Sequence, residues 1–353
     1  MSDPVEPSRP RPKRPRAKWP SRLLWLILLA SLGLNWWFWS GGRVDVAASK
    51  GPAEQFVEGD RDASEKIARI EVSGTIMPPL TGRVIDEIEA AADDDGVRGV
   101  LLVVDSPGGL VADSHRIWHR LNELAADKPV TVSFGRLAAS GGYYLAMGAG
   151  PDATIYAEPT TWTGSIGVII PRYDLTGFGE KFGVASDSLK TGPYKDALNP
   201  LSPLSDGERA VWGEVLDESF SKFVDVIVAG RPDLDEAAVR ELATGQIYTA
   251  DQALENGLVD ELGYDDDALE FLKTKLGLTS AKVVKYRHPP DWSSLFGGLI
   301  RATTDRIRGG QVSDVADRLA DAARPRAYYL FGASAASLGA AADGLSSASA
   351  ITK

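Results

Sequence analysis

Val100-Leu101-Leu102-Val103-Val104-Asp105-Ser106-Pro107-Gly108-Gly109 reads as a strand running into a glycine turn. Five consecutive apolar residues leave no polar face, so the strand is covered on both sides, as in the centre of a parallel sheet. On its N-terminal side, residues 67–76 are strand-like. Val84, Ile85 and Ile88 then recur at helical spacing before the Asp93-Asp94-Asp95-Gly96 break. On its C-terminal side, Leu110, Ile117, Leu121 and Leu124 mark a helix that stops before Pro129, and residues 130–134 form another strand. A helix over 140–147, strands near 154–156 and 166–170, and helices near 205–229, 234–243 and 265–275 continue the alternation. This alternation predicts an α/β fold with a mostly parallel β-sheet and flanking helices.

The chain has 353 residues, 44% apolar and without cysteine. A disulfide, a thiol nucleophile and a cysteine-type zinc site are therefore excluded. Residues 1–22 carry Arg9, Arg11, Lys13, Arg14, Arg16, Lys18 and Arg22 against Asp3 and Glu6. The rest of the chain must then hold sixteen surplus negative charges to reach the total of −11, which argues against nucleic acid as a partner.

Residues 23–39, LLWLILLASLGLNWWFW, are uncharged and span roughly 25 Å as a helix, with Trp19 before them and Trp36, Trp37 and Trp39 at the far end. They read as a single-pass transmembrane anchor in contact with the lipid bilayer. Basic residues before it place the N-terminus in the cytoplasm and the remainder on the outer, extracytoplasmic face of the cell membrane. The alternative is a cleaved secretory signal ending at Val46-Ala47-Ala48. Residues 40–65 read as a linker and 66–331 as one folded domain with a helical C-terminal extension. Residues 332–353, nearly all Ala, Ser and Gly, read as a disordered tail.

Three loops carry candidate chemistry. Asp105-Ser106-Pro107-Gly108-Gly109 brings backbone N–H groups beyond the carboxyl end of the strand, although a structural turn uses the same residues. Ala138-Ala139-Ser140-Gly141-Gly142-Tyr143-Tyr144 sets a serine at a helix start. Ser140 there is either an ordinary N-cap or a nucleophile beside unpaired N–H groups. Lys190-Thr191-Gly192-Pro193-Tyr194-Lys195-Asp196 is a turn whose lysines are ordinarily solvated; a lysine acting as base needs desolvation, because its usual value of ~10.4 must fall. His115 and His119, with Asp113 nearby, make a Ser-His-Asp triad or a metal pair conceivable, but the spacing lacks the intervening Glu of H-E-x-x-H, no third ligand is obvious, and exposed helix-face histidines explain it at no cost.

With Thr163-Gly164-Ser165-Ile166-Gly167-Val168, the DSPGG, ASGGYY, TGSIGV and TGPYKD segments occur in the order found in the signal peptide peptidase A family, which the chain resembles over roughly 66–290. The resemblance implies a fold similar to that of the Clp protease and the crotonases and a Ser/Lys dyad. It implies Ser140 as nucleophile, Lys195 as general base, Ser165 as the hydroxyl orienting the lysine, and Gly109 and Gly141 as oxyanion donors. No cofactor is implied. The substrates would be peptides, chiefly cleaved signal peptides. Single-copy members imply a homo-oligomeric ring, of eight subunits, with each site shared between neighbours. Two rival readings are an acyl-CoA hydratase on the crotonase fold and an inactive membrane scaffold.

Overall fold

The computed structural model of this chain describes residues 51–288 and 327–330, together with eight residues between positions 25 and 36. Those eight are helical and exposed. Among the described residues no helix is long and apolar enough to cross a membrane. Most of the 23–39 segment, the basic tail 1–22 and the tail 332–353 lie outside the described residues. Residues 1–50 form a unit separate from the rest of the chain.

The body begins with β1 (Ala53–Gly59) and β2 (Lys66–Ser73), followed by α1 (Leu80–Asp93) and β3 (Val97–Ser106). A short β4 (Gly108–Leu110) passes directly into α2 (Val111–Ala125). Next come β5 (Val130–Ala139), α3 (Gly141–Ala146), β6 (Thr154–Ala157), β7 (Trp162–Gly164) and α4 (Thr176–Phe182). The C-terminal part contains α5 (Asp206–Gly230), α6 (Glu236–Leu242), β8 (Ile247–Thr249), α7 (Ala250–Glu255), β9 (Glu261–Leu262), α8 (Asp265–Lys275), β10 (Lys282–Arg287) and β11 (Tyr328–Leu330).

The main sheet runs β1-β10-β2-β3-β5-β6-β9, parallel from β10 to β9, with β1 antiparallel at one edge. Val100, Leu102 and Val104 of β3 join the core beneath α1 and α2, whereas Leu101 packs with Ile67 against Ala268, Leu269 and Leu272 of α8. Burial of both faces explains the unbroken apolar run of β3. The expected α/β fold with a mostly parallel sheet is therefore present.

Three expectations change. Residues 53–59, inside the segment read as a linker, form a strand because β10 offers them a free edge. The strand near 166–170 is replaced by β7 at Trp162–Gly164. The chain leaves the sheet at Ser165, whose φ of 49° ends extended backbone. Tyr328–Leu330, placed in a helical extension, is a strand paired with β4.

β5 forks. Thr131–Phe134 pair with β6, and Leu137–Ala139 pair instead with β7. The lower half is thus fixed in the sheet, and the upper half carries the next residue, Ser140, to the edge of the glycine turn.

Candidate active site

Ser140 joins β5 to α3 with φ 54° and ψ −114°, the geometry of the first central residue of a type II′ turn. A side chain there is strained, and the surroundings hold it in place. Its N–H donates to the Gly164 carbonyl at 2.7 Å, and its own carbonyl accepts from Tyr144 N–H at 2.9 Å. The N-cap reading fails, since an N-cap residue has extended backbone and a side chain bonded to the helix, and Ser140 has neither. The residue is 1% exposed, and its hydroxyl makes no hydrogen bond among the described residues.

Ser165 lies alongside. Ala139 is in register with Gly164 on parallel strands, so Ser140 and Ser165 hold equivalent positions just past the two strand ends. Ser165 is also buried, also has positive φ, and donates its N–H to Gln246 O at 2.6 Å.

The glycine turn reaches the same place. Ser106 Oγ donates to Gly74 O at 2.7 Å and accepts from Gly108 N at 3.1 Å, which fixes the turn. A Cβ on Gly141 would stand 2.5 Å from Ser114 Oγ, 3.0 Å from Tyr329 O and 3.1 Å from Gly109 N, so only glycine fits. The backbones of Gly109 and Gly141 are thereby neighbours at the N-terminus of the helix that follows Ser140.

β11 occupies this groove. Tyr328, Tyr329 and Leu330 are antiparallel to Leu110, Gly109 and Gly108. Val111 N–H donates to Ala327 O at 3.2 Å, and the ladder's alternation makes Gly109 and Tyr329 the next hydrogen-bonding pair. On its other edge Tyr328 exchanges two 3.0 Å bonds with Ile169. The Tyr329 ring lies in a buried aromatic pocket, stacked on Tyr144 at 4.9 Å and tilted against Phe223 at 4.6 Å, and its hydroxyl donates to Ser219 O at 2.9 Å. Burial raises the Tyr329 and Tyr144 phenols, which stay protonated. The Tyr144 hydroxyl is 2.7 Å from His115 Nδ1. The sequence reading missed this pocket and its strand; the apolar Tyr328-Tyr329-Leu330-Phe331 run before the Ala-rich tail was the available signal.

Residues 122–279 match the model of peptidase family S49. A provisionally named signal peptide peptidase SppA of Enterococcus faecium is 35% identical over 291 residues, 76% of this chain and 82% of the relative. The chain belongs to the signal peptide peptidase A family. A provisionally named protease of Synechocystis is 41% identical over 62% of this chain and 77% of that protein, and Protease 4 of Haemophilus influenzae is 34% identical over 58% and 34%. As a family S49 member the protein is a serine peptidase.

The structure does not bring all the expected residues of this family together within one chain. Lys195 lies between α4 and α5, exposed, with no side-chain partner among the described residues and no bond to Ser140. Lys190 points to Asp196 at 3.8 Å. His119 is exposed and pairs with Glu123 at 3.5 Å, whereas His115 is turned to Tyr144 and held below the usual histidine range by burial, then by His119 and Lys222. The two histidines thus point to different partners, and the triad or metal-pair reading finds no support in them. Among the described residues no three His, Cys, Asp or Glu side chains form a metal-binding group.

Proposed function

We propose that the protein is a membrane-anchored endopeptidase that cleaves signal-peptide remnants and other unfolded peptides with Ser140 as nucleophile and Lys195 as base. The observation that carries this reading is the seating of β11. An extended segment already lies as an added strand on Gly108–Leu110, one side chain in a pocket and its backbone carbonyl beside Gly141. A substrate in that position offers its carbonyl carbon to Ser140 Oγ. The hydroxyl proton passes to neutral Lys195 as the C–O bond forms, and the N–H groups of Gly109 and Gly141 receive the negative oxygen. The lysine returns the proton to the leaving amine as the C–N bond breaks. Water, deprotonated in the same way, then frees the acyl group. The Ser165 hydroxyl would orient the lysine.

Exposure of Lys195 in the single chain fits a site completed by a second copy, arranged as a ring. Phe178, Phe182 and the fully exposed Leu189 stand near it in sequence on the same 170–200 segment and would be covered in such an assembly. Enclosure would also desolvate the lysine. The anchor at 23–39 would hold the ring on the outer membrane face.

A serine-reactive phosphonate on the detergent-solubilised chain tests the reading. One adduct at Ser140, lost in Ser140→Ala, with kcat/KM rising through a single limb as pH increases, is the expected result. A limb that disappears in the double variant His115→Ala, His119→Ala would overturn the choice of base.

A further inference from the structure

Arg172 is a cation set inward in a region with little to neutralise it. Its side chain is 16% exposed, its nearest carboxylate, Asp174, is 4.0 Å away, and its Nε is buried without a hydrogen-bond partner. The guanidinium instead donates through Nη2 to two backbone carbonyls, Ser202 at 2.5 Å and Asn199 at 3.3 Å. Leu175 N–H donates to Pro200 O at 2.8 Å, so 172–175 and 199–202 are strapped side by side. The Asn199 side chain extends the strap by donating to Ser186 Oγ at 2.6 Å and to Asp196, the residue after Lys195, at 3.3 Å. At the other end, Arg172 is three residues from Ile169, which pairs with the strand in the groove.

We propose that Arg172 is a positioning residue, which ties the segment carrying Lys195 to the segment on which a peptide strand pairs. The proposal rests on the reading of Lys195 as the base. Seating a strand on Ile169 and fixing the lysine are then parts of one rigid unit, and burying a half-satisfied guanidinium is the cost of that rigidity. Where sites are shared, a peptide held by one copy steadies the lysine that serves its neighbour. Among the described residues, the charged groups on and beside this segment include Lys190, which faces Asp196, Asp174, which faces Arg172, and Glu208, which caps α5 through Ser205 and interacts with both Lys190 and Asp196.

The test uses the full chain in detergent with Arg172→Gln, Arg172→Lys and Asn199→Ala, and Lys195→Ala as reference. Kinetics on a fluorogenic peptide are followed across pH, and binding of the same peptide is measured in a Ser140→Ala background. Arg172→Gln should lower kcat about 10²-fold, move the rising limb to higher pH, and leave KM and peptide binding within about twofold. Arg172→Lys should recover part of the rate, and Asn199→Ala should move the limb in the same direction. A folded Arg172→Gln with wild-type kcat and limb overturns the proposal, as does parallel loss of rate and binding with an unmoved limb. If Arg172→Gln fails to fold by circular dichroism, the other two variants decide by the same readouts. Activity retained in Lys195→Ala would instead remove the reading beneath the proposal.

Discussion

The backbone N–H of Ser140 is locked to the carbonyl of Gly164, 2.7 Å away, so the proposed nucleophile and the residue before Ser165 move as one. The bond joins the upper arm of β5 to β7 and imposes the positive φ on Ser140 that no local feature of the sequence announces.

Ser140→Ala and Lys195→Ala are each expected to abolish peptide hydrolysis without loss of folding, while Lys190→Ala stays active. Because the site is proposed to be shared, dissociating the two inactive variants and reassembling them together at equal amounts should restore about a quarter of the wild-type rate, the share of interfaces that pair an intact serine with an intact lysine. Mixed assemblies with no activity would mean that both groups come from one chain.

Strain at Ser140 gives a stability prediction independent of mechanism. Ser140→Gly should unfold at a temperature about 2–4 °C above Ser140→Ala, since glycine adopts φ 54°, ψ −114° freely and alanine does not. Equal melting temperatures in calorimetry would show that the geometry carries no cost.

A peptide seated as proposed must displace β11 from Gly108–Leu110. Removing residues 327–353, or substituting Tyr329→Ala, should therefore lower the apparent KM for a fluorogenic peptide severalfold, because the stacking on Tyr144 and the bond to Ser219 are lost. An unchanged KM in both variants would place the substrate elsewhere.

Glu87 on α1 has its carboxyl pushed up to about 7, first by burial and then by Glu71 and Asp86, against Arg83 and Lys285; His288 Nε2 is 3.2 Å away. A carboxyl raised in the folded state contributes stability in full below its unfolded value near 4.5 and loses it as pH rises through 7. Glu87→Gln should therefore flatten the fall in melting temperature between pH 5 and 8. A steeper fall in the variant would reverse the assignment.

The strand at 100–104 and the Ser140 segment were legible because their signals are local: an apolar run needs cover on both faces, and glycines beside a serine leave room for a ligand. The break at Ser165 was not, because Ile166, Val168 and Ile169 look like a strand until the Gln246 carbonyl takes the Ser165 N–H. Nor was β11. Three residues carry no periodicity of their own, and only partners far away in the chain, the edge of β4 and Ile169, make them a strand. The placement of Lys195 depends on what surrounds the exposed 190–196 turn, and no residue in that turn states its partner.

Gly109 pairs with Tyr329, 220 residues further along the chain. At a synthesis rate of ~5–20 residues per second, the glycine turn emerges roughly 10–45 s before the strand that covers it. Throughout that interval a newborn molecule carries an open ladder edge beside a serine, and a strand made long after the serine is what closes it.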